Sequence, residues 1–256
     1  MRPDIALNKA AIGLALDARW ALGLAITAPY SFTTEYDDDG WTRYSALTSD
    51  LKTFDIQPSI AFSPSPEISI GLALNAEHAQ ATLTNASPNI LPGSPDGHVA
   101  LEGEGWDFGW SAGVQFRPSS RLSLGFSYKS SVEHRLEGEA VVERLAGPLA
   151  AGNGSNEVTA RFSTPWQLSG GMRWQATERL TLNAQVTRFG WSEFDAIRIG
   201  PPLDRELRQD YHDTTSLAGG IDYQAAPALT LRAGIQADES PTPEAGEPRV
   251  PDADRM

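Results

Sequence analysis

Ten stretches of this chain alternate apolar and polar residues with a period of two, and the connections between them run short, then long, then short again. In Leu180-Thr181-Leu182-Asn183-Ala184-Gln185-Val186-Thr187 the apolar residues share one face and the polar residues the other, because successive side chains of a β-strand point to opposite sides. Leu122, Leu124, Phe126 and Tyr128 oppose Ser123, Gly125, Ser127 and Lys129 in the same way, and Ile68, Ile70, Leu72 and Leu74 oppose Ser69, Gly71, Ala73 and Asn75. The polar faces are small and weakly charged, unlike the Lys- and Glu-rich outside of a soluble sandwich. A closed sheet with lipid outside and water inside accounts for them.

Loop lengths support the closed sheet. Asp17-Ala18-Arg19, Ser63-Pro64-Ser65-Pro66-Glu67, Arg117-Pro118-Ser119-Ser120-Arg121, Gln175-Ala176-Thr177-Glu178-Arg179 and Gln224-Ala225-Ala226-Pro227-Ala228 are tight turns, in which Pro and Ser preset the backbone. Between them lie connections 30–50, 84–103, 137–156 and 195–210, each roughly fifteen to twenty residues, a length uncommon in compact soluble domains. Outer-membrane barrels segregate their loops in this manner. The expected fold is therefore all-β, an antiparallel up-and-down transmembrane barrel. Its strands are expected at 5–16, 20–29, 51–63, 67–83, 104–117, 121–135, 157–175, 179–193, 211–224 and 228–238, paired in consecutive order.

No run reaches the roughly eighteen apolar residues of a membrane helix, since Asp17 and Arg19 interrupt the best candidate. The net charge of -13 disfavours nucleic acid, which needs a basic partner. It suits acidic outer loops beside lipopolysaccharide and divalent cations. Catalysis finds no constellation: His78, His98, His134 and His212 are scattered, there is no cysteine, and no G-x-S-x-G elbow or P-loop is present. Asp37-Asp38-Asp39 could bind calcium through oxygen or form a solvated acidic loop. The expectation is no enzyme, no cofactor and no resident metal.

Motifs then point to a family. Ser240-Pro241-Thr242-Pro243, followed by Val250-Pro251-Asp252-Ala253-Asp254-Arg255, resembles the S-P-x-P…P-D-x-D-R signature of the FadL-type outer-membrane transporters. Gly105-Trp106-Asp107-Phe108-Gly109-Trp110-Ser111-Ala112-Gly113 is similar to their W-x-F-G-W-x-x-G strand. Thr187-Arg188-Phe189-Gly190-Trp191-Ser192-Glu193-Phe194 resembles Y-T-x-W-S-x-F with an insertion. Ala28-Pro29-Tyr30-Ser31-Phe32-Thr33-Thr34-Glu35-Tyr36 is similar to P-F-G…T-E-Y, with Tyr30-Ser31 in place of Phe-Gly. The resemblance implies transport of long-chain fatty acids or other hydrophobic compounds, aromatic hydrocarbons included, across the Gram-negative outer membrane, by a monomeric barrel of fourteen strands with an N-terminal plug in its lumen. On that template residues 1–256 are a partial barrel domain, the second to eleventh strands, without the plug and the closing strands. Met1-Arg2-Pro3-Asp4-Ile5 begins no secretion signal, which fits the same expectation.

The resemblance also implies passive, ligand-gated passage and release through a lateral opening beside a kinked strand, here at Pro29, Tyr30 and Ser31. Pro29 donates no backbone hydrogen bond; it either opens a gap in the wall or ends its strand at the outer rim. Tyr30, Phe32, Tyr36, Trp41 and Tyr44 in the first long connection, with Ile90 and Leu91 in the second, offer large apolar area for a greasy ligand, or form an interfacial aromatic girdle. Lys129, Arg173 and Arg232 lie in register with the polar face; they either receive a ligand carboxylate or pair internally with Asp222, Glu77 or plug acids. Ser240, Pro241, Pro243, Pro251, Asp252, Asp254 and Arg255 form the motif loop, where Asp orders its own backbone. A general porin and a structural or adhesive barrel are the alternative functions.

Overall fold

The computed structural model describes residues 9–243. Its strands are β1 (Ala10–Ala15), β2 (Trp20–Thr27), β3 (Ser31–Glu35), β4 (Thr48–Phe62), β5 (Ile68–Ser87), β6 (Gly97–Ser119), β7 (Leu122–Lys129), β8 (Val132–Glu143), β9 (Gly154–Thr164), β10 (Trp166–Gln175), β11 (Leu180–Gly190), β12 (Ala196–Ile199), β13 (Arg205–Arg208), β14 (Thr214–Ala226) and β15 (Leu229–Asp238). All pair antiparallel in one sheet, and its main path runs β1-β2-β4-β5-β6-β7-β10-β11-β14-β15. The ten expected strands are thus present in consecutive order. The first is seen from Ala10, and residues 5–8 of it lie outside the described part.

Two expected strands are broken. The stretch 121–135 divides into β7 and β8 at residues 130–131, and 157–175 divides into β9 and β10 at Pro165. Pro165 has no N–H for the ladder. Across the gap the Ser130 hydroxyl accepts from Trp110 N at 3.0 Å, and the Ser131 hydroxyl donates to Thr164 O at 2.7 Å. Pairing then resumes above the breaks as β6-β8-β9-β12-β13.

The long connections are accordingly less bare than expected. The first contains β3, paired to β4 through Ser31↔Lys52 and Glu35↔Thr48. The second is only 88–96, because β5 and β6 stay in register to Ser87↔Gly97. The fourth contains the β12–β13 hairpin. Strand pairing continues past the membrane because it is satisfied between neighbours and needs no lipid.

The outward face shows where lipid ends. From Ile68 to Ala76 the outward residues of β5 are Ile, Ile, Leu, Leu and Ala, with Leu74 66% exposed. At about 3.4 Å per residue this band is roughly 27 Å long, and a tilt of about 35–45° leaves roughly 19–22 Å of it along the membrane normal, most of the ~25 Å apolar belt of outer-membrane barrels. On β6, Trp106, Phe108, Trp110, Val114 and Phe116 continue the belt, Phe108 being 76% exposed. Register carries it on: Leu182 stands between Trp174 and Ile221. Above it the outward residues turn polar, with Gln80 on β5 and Glu102 and Glu104 on β6. Exposed apolar and buried polar side chains invert the order of a soluble protein, as lipid contact demands.

Candidate ligand site in the barrel lumen

At the top of the lipid belt charged and polar side chains are buried on the inward face of the sheet. Asp55 on β4, Asn75 and Glu77 on β5 and His134 on β8 have no solvent exposure. Lys129, the last residue of β7, donates from Nζ to Asp55 Oδ2 and to Glu77 Oε2, each at 3.1 Å. Asp55 Oδ2 also accepts from Asn75 Nδ2 at 2.8 Å and from Gln57 Nε2 at 2.7 Å. The Ser111 hydroxyl donates to Asn75 Oδ1, and His134 Nε2 lies 3.2 Å from Glu77 Oε1. Buried charges persist only when they are paired and hydrogen-bonded. The network meets that condition except at Asp55 Oδ1 and His134 Nδ1, which have no hydrogen-bond partner, and it forms an ionic floor beneath the inward positions that follow on these strands.

Above the floor the inward positions become apolar. Leu51, Leu136, Val158, Phe162, Phe194 and Ile197 surround a narrow pocket of about 60 Å³, with Phe32 and Ile199 at its sides. Asp50 and Glu102 border it from strand positions adjacent to inward Leu51 and Leu101, so their side chains alternate outward; Asp50 pairs there with Lys52 at 3.0 Å. Gly103 and Gly138, partners across β6 and β8, leave the room. A Cβ at 138 would run into the Glu102 carbonyl and the Gly103 Cα. Gly138→Ala should therefore cost about 1–3 kcal/mol by overpacking, read as earlier urea unfolding in detergent; an unchanged midpoint would show that this wall yields freely.

Pro29 does not end its strand. Thr27 pairs with Asp55 and Ser31 with Lys52, so residues 28–30 stand opposite 53–54: one extra residue, a β-bulge. Thr53 holds it closed from one side. Tyr30 N donates to the Thr53 hydroxyl at 2.8 Å, and that hydroxyl and Thr53 N both donate to Tyr30 O. The Tyr30 side chain then crosses the lumen to the other break, accepting from Gln167 Nε2 at 2.8 Å and donating to Pro165 O at 3.3 Å. Its ring lies 5.8 Å from Lys129 Nζ and meets Trp191 edge-on. Bulge, floor and pocket thus adjoin, at the upper rim of the lipid belt.

Of the expected site residues, Tyr30, Phe32 and Lys129 are brought together here. Lys129 is occupied by its two carboxylates. Arg173 and Arg232 are not here: both pair with Asp222, at 3.0 and 3.5 Å, in a wide polar mouth at the short-turn end. Tyr36, Trp41, Tyr44, Ile90 and Leu91 do not line the pocket. Trp41 is 83% exposed, and Leu91 lies against Gly147. The Tyr44 hydroxyl donates to Asp96, which also accepts from Arg43 Nε at 2.9 Å; that guanidinium holds the Asp96 carboxyl below the usual carboxylate range. In the motif loop, Pro241 O accepts from His212 N at 3.1 Å and the Ser240 and Thr242 hydroxyls bond each other. Pro243 is the last described residue, and Pro251, Asp252, Asp254 and Arg255 lie outside the described residues. No group of acidic and histidine side chains suited to a metal ion occurs among the described residues.

Residues 3–256 match the family described as outer membrane protein transport protein (OMPP1/FadL/TodX). The chain is 28% identical to a 47 kDa outer membrane protein of Pasteurella multocida (strain Pm70), over 94% of this chain and 62% of that protein. It is 24% identical to the long-chain fatty acid transport protein of Escherichia coli (strain K12), over 94% of this chain and 63% of that one. It therefore spans somewhat over 60% of the length of these relatives. Two crystal structures share its fold: a Pseudomonas aeruginosa FadL homologue, with TM-score 0.86, 23% identity and coverage of 96% and 63%, and the Ralstonia pickettii toluene transporter TbuX, with TM-score 0.73, 20% identity and coverage of 90% and 68%.

Proposed function

Since the chain belongs to the outer membrane protein transport family (OMPP1/FadL/TodX), we propose that it forms wall and ligand pocket of a passive importer of hydrophobic compounds, of the class of long-chain fatty acids or aromatic hydrocarbons. The observation that carries this reading is the stacking of an apolar pocket on a buried ionic floor, with a bulged strand at the same level. A greasy molecule arriving between the outer loops gains by burying apolar area against Phe32, Leu136 and Phe162. It does not continue down the axis, because separating Lys129 from Asp55 and Glu77 would strand buried charge.

The remaining route is sideways. Residues 28–30 leave the β2–β4 ladder, and the Pro29 position offers no donor to restore it. Tyr30 is the side chain that would move, its ring filling the space between pocket and bulge. Passage beside it delivers the ligand to the outer rim of the lipid belt, where an apolar compound partitions downhill. Ligand occupancy of the pocket is the trigger, and neither an enzymatic step nor a cofactor is proposed. Membrane lipid and, at the acidic rim above the belt, lipopolysaccharide are the surrounding partners, and the working unit is a monomer.

The experiment is uptake of radiolabelled dodecanoate and toluene by cells that lack their own importer and express the full-length protein. Uptake of at least one should rise above the empty-vector rate. Deleting Pro29, which brings two residues opposite two and closes the ladder, should abolish that uptake while binding persists. Equal uptake by the deletion variant would exclude the sideways route.

A further inference from the structure

We propose that this pocket selects uncharged apolar compounds and rejects carboxylates, an inference that rests on the pocket being the transport site. Every side chain directed into it is apolar: Leu51, Leu136, Val158 and Phe162 from the strands, Phe194 and Ile197 from the segment between β11 and β13. The two charged residues at its border, Asp50 and Glu102, turn their side chains outward, Asp50 toward Lys52, and bring no cation into it. Among the described residues a carboxylate placed there finds no donor of opposite charge in the pocket lining, and an ion taken from water into such surroundings without a partner is strongly disfavoured.

The floor offers no relief. The ammonium of Lys129 in the floor is shared between Asp55 and Glu77, both fully buried. Asp107 adds a third acid on the same side, 3.5 Å from His134 Nδ1. Around one lysine and one histidine there are thus three carboxylates, and a ligand anion would be a fourth. Other cations near this level point away: Lys52 pairs with Asp50 on the outward face of β4, Arg135 and Arg161 sit on the exposed face of β8 and β9, and Arg198 is held outside by Asp195 and Glu206. The described pocket is built for a molecule with no charge to solvate.

Dodecanoic acid and its methyl ester have the same chain and differ in charge, so they test the point directly. Binding of each, radiolabelled, would be measured to the full-length protein in nanodiscs at pH 8, against empty nanodiscs. The ester should bind at least about tenfold more tightly than the acid, as expected for an ion denied a partner. Glu77→Gln, which releases Lys129 from one of its two acids, should narrow that gap by strengthening binding of the acid. Equal or tighter binding of the acid by the unaltered protein would overturn the proposal, as would a gap that Glu77→Gln leaves unmoved. Failure of both ligands to bind, with no uptake in cells, would instead count against the transport reading itself.

Discussion

Lys129→Met should destabilise the folded wall by about 3–5 kcal/mol, the cost of leaving a buried ion pair without one partner. The methionine fills most of the volume, so the loss reads charge and not a cavity. Asp55 and Glu77, both fully buried, would face each other without their shared cation, with Asn75 and Gln57 as the remaining donors to Asp55. Urea unfolding in detergent, followed by the gel mobility of the folded form, measures the loss. Adding Asp55→Asn and Glu77→Gln to Lys129→Met should recover most of it, because a buried ionic group replaced as a whole is often neutral in stability. A Lys129→Met protein as stable as the parent would mean that the floor is not dry.

Leu72→Arg should cost about 2–4 kcal/mol in a lipid bilayer, the penalty for a cation on the lipid face near the midplane. Leu72 is the central outward residue of the apolar band on β5 and 56% exposed. Gln80→Arg on the same strand and the same face, above the band, should change stability by no more than about 0.5 kcal/mol, as surface substitutions do. The contrast between two positions eight residues apart places the boundary. Equal costs at both would move the lipid edge above Gln80 and shift the pocket into the membrane.

The wall was legible in the sequence because lipid imposes a strict alternation, and that alternation needs no knowledge of long-range contacts. What escaped was a change of phase. On β5 the apolar positions are even up to Ala76 and odd from Ala79, and on β6 they are even at Trp106 and above but odd at Leu101 and Val99. Each strand keeps its direction; only the side facing grease changes, from lipid to pocket. Without its phase, the alternation extends the lumen's polar face upward past the level where the inward residues turn apolar. Pro29 was visible as a missing donor, but the return of the strand at Ser31 depends on β4 running on to Thr48, which no local pattern announces. The floor had a trace in the sequence: Asp55 and Glu77 are acids on otherwise small inward faces, and their register pairing needed the fold to be seen.

The ionic floor also bears on what else such a wall lets through. A tube open to greasy molecules would ordinarily leak sugars, salts and hydrophilic antibiotics as well, because anything smaller than the cargo could follow the water. Here Asp55, Asn75, Glu77 and His134 place fully buried polar side chains on the inward face at the upper end of the lipid belt. Traffic that ends in the bilayer needs no aqueous path to the other side. On the proposed sideways route, a wall of this kind would admit apolar compounds without also serving as a pore for polar ones.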